Sequence, residues 1–196
     1  EIEAEGKLCI KRPWPGMART IYGDDQRYKD TYLTAFPGYY FSGDGAKRRA
    51  DGNYRITGRV DDVIIVSGHN IGTAEVEDAL DEHEFVVESA VVGFPHEVKG
   101  QAIKAYVILK NISDRYDEGV LKRELLDVVA KHVGNLAKPD SFQVVEGLPK
   151  TRSGKIMRRI LRKIAAGEKD GYGDISTLLN PEVVESIKAG APELQH

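Results

Sequence analysis

At 196 residues, with 41% hydrophobic and 30% charged residues and a net charge of −3, the chain has the size and polarity of one or two globular domains. That balance excludes an intrinsically disordered chain and a protein that holds nucleic acid by bulk electrostatics, and no apolar run is long enough to cross a membrane. A lone Cys9 cannot form an internal disulfide and favours a reducing compartment; with no signal-peptide pattern at the start, the cytoplasm is the expected location.

Residues 1 to about 60 consist of short strand-like runs punctuated by prolines and glycines, and they predict a β-rich segment with tight turns. Asp51-Gly52-Asn53 reads as a hairpin turn between Lys47-Arg48-Arg49 and Tyr54-Arg55-Ile56-Thr57. The pattern changes at Asp61. Val63 to Val66 predicts a short buried strand, and Thr73 is placed to cap a helix with Glu75 and Glu77 in its first turn and Val76, Ala79 and Leu80 on one face. Strands are predicted at Val86 to Gly93 and Ala102 to Lys110, then a helix with Leu121, Leu125, Val128 and Val129 on one stripe, then a strand at Phe142 to Val145. A basic helix follows, with Ile156, Ile160 and Ile164 as its buried stripe and Gly167 at its end, and Asn180-Pro181 reads as the N-cap and first residue of a last helix. Alternating helix and strand make this second half a compact α/β or α+β unit.

Lys155 stands out chemically. It follows Gly154 in Leu148-Pro149-Lys150-Thr151-Arg152-Ser153-Gly154-Lys155-Ile156, an exposed, irregular stretch from which a mobile lysine reaches toward a phosphate or carboxylate. A Walker-type phosphate loop is excluded, because Pro149 and Ile156 occupy positions where that loop needs glycine and serine or threonine. Taken alone, the lysine is as well explained as the start of a solvated basic helix.

Four stretches stand in one order: Tyr40-Phe41-Ser42-Gly43-Asp44, Thr57-Gly58-Arg59-Val60-Asp61-Asp62, Ser67-Gly68-His69 and Pro149 to Ile156. With the closing Asp174-Ile175-Ser176-Thr177-Leu178 tail, this set resembles the C-terminal part of AMP-forming acetyl-CoA synthetases of the adenylate-forming superfamily. The fold implied is α+β: residues 1–60 as the β-rich end of a large adenylating domain, and residues 61–196 as a small mobile C-terminal domain hinged at Asp61. The chain begins at Glu1 without a methionine and reads as a fragment, with the phosphate loop and acyl pocket expected in a preceding N-terminal domain, so that on its own it is expected to be inactive.

The resemblance implies that acetate and ATP give acetyl-AMP and pyrophosphate, and that coenzyme A then takes the acetyl group and releases AMP. Lys155 is the implied catalytic residue of the first step, and Asp44 and Arg59 the pair that contacts the ribose of ATP or AMP. Asn70 stands where the family usually has an arginine on the nucleotide phosphate, so hydrogen bonding is kept there and charge is lost. Ser67 and Gly68 form the turn against which the pantetheine of coenzyme A lies. Ala130 replaces a basic residue near the 3′-phosphate, with Lys131 as a substitute. Mg2+ is implied at Asp81, His83 and Val86, and Lys155 is the implied target of a lysine acetyltransferase and a deacetylase. Two alternatives stand beside this reading: a propionyl- or other short-chain acyl-CoA synthetase, since the acyl pocket is not in this stretch, and a non-enzymatic module docking an acidic partner or nucleic acid through the basic helix 155–163.

Overall fold

The structure, a computed structural model, describes residues 3–110, 118–168, 171–173 and 175–190; Asp174 of the tail motif lies outside these. The chain divides into two compact units, residues 1–61 and 62–196.

In the first unit, β1 (Ala4–Ile10), β2 (Tyr40–Arg48) and β3 (Tyr54–Arg59) form an antiparallel sheet in that order. The Asp51-Gly52-Asn53 turn is as expected, closed by Arg49 N–H to Asn53 O at 2.9 Å in one direction and by Asn53 N–H to the Asp51 carboxylate at 2.9 Å. One element departs from the sequence reading, since α1 (Asp25–Tyr32) interrupts the strands. Asp24 caps it by accepting the Arg27 N–H, and Tyr28, its only buried residue, donates its hydroxyl to Ala18 O. Rings of Trp14, Tyr32 and Tyr40 pack on one another beside it.

The second unit is a sheet covered on both faces. The sheet runs in the order β5 (His69–Ile71), β4 (Ile64–Val66), β7 (Gly100–Leu109), β6 (Val86–His96), with β8 (Ser141–Val144) parallel to β7 and every other pairing antiparallel. Because side chains alternate along a strand, Val91, Ile103 and Ala105 enter one core with α2 (Thr73–Asp81) and α3 (Glu118–His132). Ala90, Val92 and Tyr106 enter the other, with α4 (Arg158–Ala165) and α5 (Glu182–Ala189). Burial on both faces explains the near-continuous apolar runs of β6 and β7.

Helix ends differ from the sequence reading in instructive ways. Gly72, with no side-chain bond, holds the N-cap of α2, and Thr73 is a buried first residue. The basic helix begins at Arg158, because Ile156 pairs with Lys150 and leaves Lys155 in a turn. Its end is as expected: Gly167 takes φ +76°, Glu168 N–H reaches Lys163 O and Gly167 N–H reaches Ile164 O, each at 3.0 Å. Pro181, not Asn180, stands at the N-cap of α5, and the Asn180 side chain is used elsewhere.

Candidate functional site

Lys155 sits on a hydrogen-bonded hairpin, where the sequence suggests an irregular loop. Gly154 N–H donates to Thr151 O at 2.8 Å, with Gly154 at φ +82°, and Thr151 N–H donates to Lys155 O at 2.9 Å. The Thr151 hydroxyl accepts Lys155 N–H at 3.1 Å and contacts the Ser153 hydroxyl at 3.0 Å. Backbone and side-chain bonds thus fix where the Lys155 Cα lies. Its ammonium is exposed and makes no hydrogen bond or ion pair among the described residues. Beside the hairpin an open cavity of about 460 Å³ is lined by Thr151, Arg152, Ser153, Ser176 and Thr177.

The hairpin leads into a helix in which three of four cations are engaged. Arg158 pairs with Glu77, Arg162 Nη2 lies 2.6 Å from Asp62 Oδ1, and Lys163 Nζ reaches Glu168 Oε2 at 3.1 Å. The first two pairs hold α4 against α2 and Asp62, while Lys155 and Arg159 at its start are exposed and make no ion pair among the described residues.

In the first unit, Asp44 and Arg59 are directly opposed in the β2–β3 register. Arg59 Nη1 stands 3.7 Å from Asp44 Oδ1 and donates to Ser42 O at 3.1 Å, while Arg59 Nε donates to Asp61 Oδ1 at 3.0 Å. The guanidinium crosses directly over Gly43, where an added Cβ would lie 2.5 Å from Nη1 and would push Arg59 aside. Asp44 N–H is held by the Ser42 hydroxyl at 3.2 Å. Asp44, Arg59 and Asp61 are therefore brought together; Ser42 completes the group and was missed by sequence reasoning, although its place two residues before Asp44 was visible.

Ser67 and Gly68 form the two-residue turn between β4 and β5, with φ of +49° and +82°. Both positive values identify the primed turn that suits twisted antiparallel strands, and Ser67 is the one described non-glycine residue in that region. Ser67 N–H is tied to Lys99 O at 2.9 Å, and nothing lies within 4 Å of where a Gly68 Cβ would stand. Asn70 is exposed on β5, and Lys131 is exposed near the end of α3. No hydrogen bond or ion pair among the described residues joins these positions to Lys155.

Asp81, His83 and Val86 follow one another from the end of α2 into β6. The His83 Nδ1 accepts Phe85 N–H at 3.4 Å and its Nε2 faces Glu124 at 3.4 Å, so both ring nitrogens are engaged. Partial burial is the main cause that raises the Asp81 carboxyl, against hydrogen bonds from Ser89. Among the described residues no three His, Cys, Asp or Glu side chains gather, and the expected trio offers one carboxylate, an engaged imidazole and, from Val86, a backbone carbonyl alone, a thin donor set for a hard, oxygen-seeking cation. No step below runs through a metal ion.

Residues 75–155 match the AMP-binding enzyme C-terminal domain. The acetyl-coenzyme A synthetase of Alkalilimnicola ehrlichii is 59% identical over 192 residues, which are 98% of this chain and 30% of that protein. The chain thus spans about 30% of that relative's length. Acetoacetyl-CoA synthetase from Streptomyces lividans superposes with a TM-score of 0.78 over 98% of this chain and 29% of its own, at 21% identity, a likeness of fold alone. The anthranilate CoA ligase AuaEII in complex with anthranoyl-AMP gives a TM-score of 0.73 at 28% identity, over 85% of this chain and 31% of its own. Sequence and fold agree in what the chain is similar to: residues 75–155 match the C-terminal domain of AMP-binding enzymes, and 98% of the chain is similar to about 30% of an acetyl-coenzyme A synthetase.

Proposed function

We propose that this chain is the part of an AMP-forming acetyl-CoA synthetase that brings Lys155 to the reacting groups and then presents the Ser67–Gly68 turn to coenzyme A. The observation that carries this reading is the exposed ammonium of Lys155, without a partner among the described residues, on a hydrogen-bonded hairpin beside a helix in which Arg158 and Arg162 are already ion-paired.

In the first half-reaction an acetate oxygen attacks the α-phosphorus of ATP and pyrophosphate leaves. Lys155 stabilises the negative charge shared between carboxylate and phosphate as that bond forms. Asp44 accepts hydrogen bonds from the ribose hydroxyls, and Arg59 holds Asp44 in place while bonding to Asp61. Asp61, the last residue of the first unit and part of a 3-10 turn (Val60–Asp62), is the hinge of the proposed domain rotation. In the second half-reaction the thiol sulfur of coenzyme A attacks the acetyl carbonyl and AMP leaves. The pantetheine passes the open face of Gly68, Lys131 offers its ammonium to the 3′-phosphate, and Asn70 donates a hydrogen bond toward nucleotide phosphate. ATP and coenzyme A are the ligands of the site, with acetate as acyl substrate. Mg2+ at Asp81, His83 and Val86 is not part of this mechanism, for the donor reasons above.

The exposed Lys155 also suits control by acetylation and deacetylation, because acetylation removes the charge that adenylation uses. The module reading is disfavoured because two of the helix's arginines, Arg158 and Arg162, are committed to ion pairs with Glu77 and Asp62, which leaves fewer cations for an acidic partner.

Lys155→Ala in the full-length protein tests the reading. Acetate-dependent exchange between ATP and pyrophosphate should fall about a hundred- to a thousandfold, while supplied acetyl-AMP and coenzyme A are still converted to acetyl-CoA. Equal loss of both half-reactions, or a large fall in melting temperature, makes Lys155 structural and the reading wrong.

A further inference from the structure

We infer that Asn180 is a positioning residue for Lys155. The inference rests on the proposed role of Lys155 in adenylation. It starts from the strand Leu148 to Thr151, whose backbone groups alternate between two sides. Pro149 O and Thr151 N–H face the arm that carries Lys155: Met157 N–H donates to Pro149 O at 2.8 Å and Thr151 N–H donates to Lys155 O at 2.9 Å. Leu148 O, Lys150 N–H and Lys150 O serve the opposite side. There Leu179 N–H donates to Lys150 O at 2.8 Å, and Thr151 pairs with Leu178.

The ladder on that side has to stop one residue later, because the backbone turns into α5 at Pro181, which has no N–H to offer. Asn180 replaces the missing rung with its side chain. Its Oδ1 accepts Lys150 N–H at 3.2 Å and its Nδ2 donates to Leu148 O at 3.0 Å. A carboxamide has the donor and acceptor of a peptide group, so one side chain satisfies both backbone groups that a further strand residue would have satisfied. Leu148 is almost fully buried, so its carbonyl has little water to turn to if the amide is removed.

The consequence reaches Lys155 through the strand. One edge of Leu148–Thr151 carries the Lys155 arm, and the other edge is fixed by Leu178, Leu179 and Asn180, which are anchored by buried Leu178 and by Val184 and Ile187 of α5. Lys150 adds a tie of its own, Nζ to Glu88 Oε2 at 2.6 Å. Asn180 thus sets the height and tilt of the hairpin without touching the reacting groups. A displacement of about 1 Å in a charge aimed at a transition state is enough to cost up to a hundredfold in rate.

The test uses the full-length protein with Asn180→Ala, and Leu179→Ala as control. The Leu179 side chain is exposed and only its backbone serves the ladder. Asn180→Ala should raise amide hydrogen exchange at Lys150, Thr151 and Lys155 and leave β6 and β7 protected. It should lower kcat for acetate-dependent ATP–pyrophosphate exchange about ten- to a hundredfold with KM for ATP unchanged, and leave conversion of supplied acetyl-AMP intact. Leu179→Ala should do none of this, and adding Asn180→Ala to Lys155→Ala should cost little further. Unchanged hairpin protection, equal loss of both half-reactions, or an undiminished effect in the Lys155→Ala background overturns the inference. A wild-type protein without exchange activity refutes the parent reading instead, and the assignment of Asn180 falls with it.

Discussion

Glu77 and Arg158, 81 positions apart, form an ion pair that ties α2 to the first turn of α4. Arg158 Nε donates to Glu77 Oε1 at 3.1 Å, and the same oxygen accepts Val91 N–H of β6 at 2.8 Å. The Arg158 side chain is 22% exposed and that of Glu77 10%. Burial, the larger effect, pushes the Glu77 carboxyl up, and Arg158 and the Val91 N–H pull it back. The pair joins three elements at the foot of the Lys155 hairpin.

Such a pair is expensive to break and cheap to replace. Glu77→Ala leaves a partly buried guanidinium and the Val91 N–H without partners and should cost about 3–5 kcal/mol of stability. The double change Glu77→Met with Arg158→Met should recover most of that loss, because neither charge is then buried alone. Chemical denaturation followed by circular dichroism measures both. A Glu77→Ala loss below about 1 kcal/mol would show that the pair is solvated and not a structural tie.

Lys104 makes the pH behaviour testable. It is 4% exposed on β7, with its ammonium 5.1 Å from the centre of the Tyr106 ring, and burial alone lowers its pKa below the usual lysine value. The folded chain therefore binds this proton less readily than the unfolded chain, and the contribution of Lys104 to stability rises with pH from its folded pKa up to about 10.5. Tyr106, whose hydroxyl donates to Leu161 O, is raised by burial and acts in the opposite sense only above about pH 10. Lys104→Met should be more stable than wild type at pH 7, by on the order of 1 kcal/mol, and the difference should shrink toward pH 10. Parallel stability curves for the two proteins would mean that Lys104 is not strained by its site.

Much of the second unit was legible because its elements bury apolar faces with clear periods: Leu121, Leu125 and Val129 on α3, and the continuous runs of β6 and β7. Helix α1 was not legible, because Tyr28 is its only buried residue and its signal is the capping Asp24, easily taken for a turn. Asn180 was read as a cap because asparagine before proline suits one. Its real partners, Leu148 and Lys150, lie some thirty residues away, and local grammar carries no information about them. The same holds for Glu77, whose place in a first turn suggested a helix-dipole role and whose partner is Arg158. Lys155 itself was found from the words around it, but its hairpin depends on the Lys150–Ile156 and Thr151–Leu178 pairings, which only the fold creates.

Gly43 leaves room for the guanidinium that crosses it. It has φ +83°, and an added Cβ would lie 2.5 Å from Arg59 Nη1. Gly43→Ala should cost about 1–2 kcal/mol for the left-handed backbone and push Arg59 off Ser42 O and away from Asp44. In the full-length protein the proposed ribose role then predicts a higher KM for ATP in the exchange assay, with transfer from supplied acetyl-AMP less affected. An unchanged KM for ATP would remove Asp44 and Arg59 from the nucleotide site.

Ser67 offers a way to separate strain from ligand contact. A serine at φ +49° carries a left-handed backbone cost that glycine does not, although glycine gives back part of the gain through the unfolded chain. Ser67→Gly should therefore change stability by less than about 1 kcal/mol, whereas Ser67→Val, β-branched and bulky, should destabilise by about 2 kcal/mol or more. If the pantetheine lies against this turn, the two variants also part company in the transfer half-reaction. The glycine variant keeps the turn thin and should keep the wild-type KM for coenzyme A, while the valine variant should raise it several-fold. Both should leave ATP–pyrophosphate exchange near the wild-type rate, since the proposed adenylation step does not use this turn. Steady-state kinetics of the two half-reactions, measured at a temperature where both variants remain folded, decide the matter. A valine variant with an unaltered KM for coenzyme A, or one that slows adenylation as much as transfer, would place the ligand elsewhere and leave Ser67 with the structural duty of closing the β4–β5 turn.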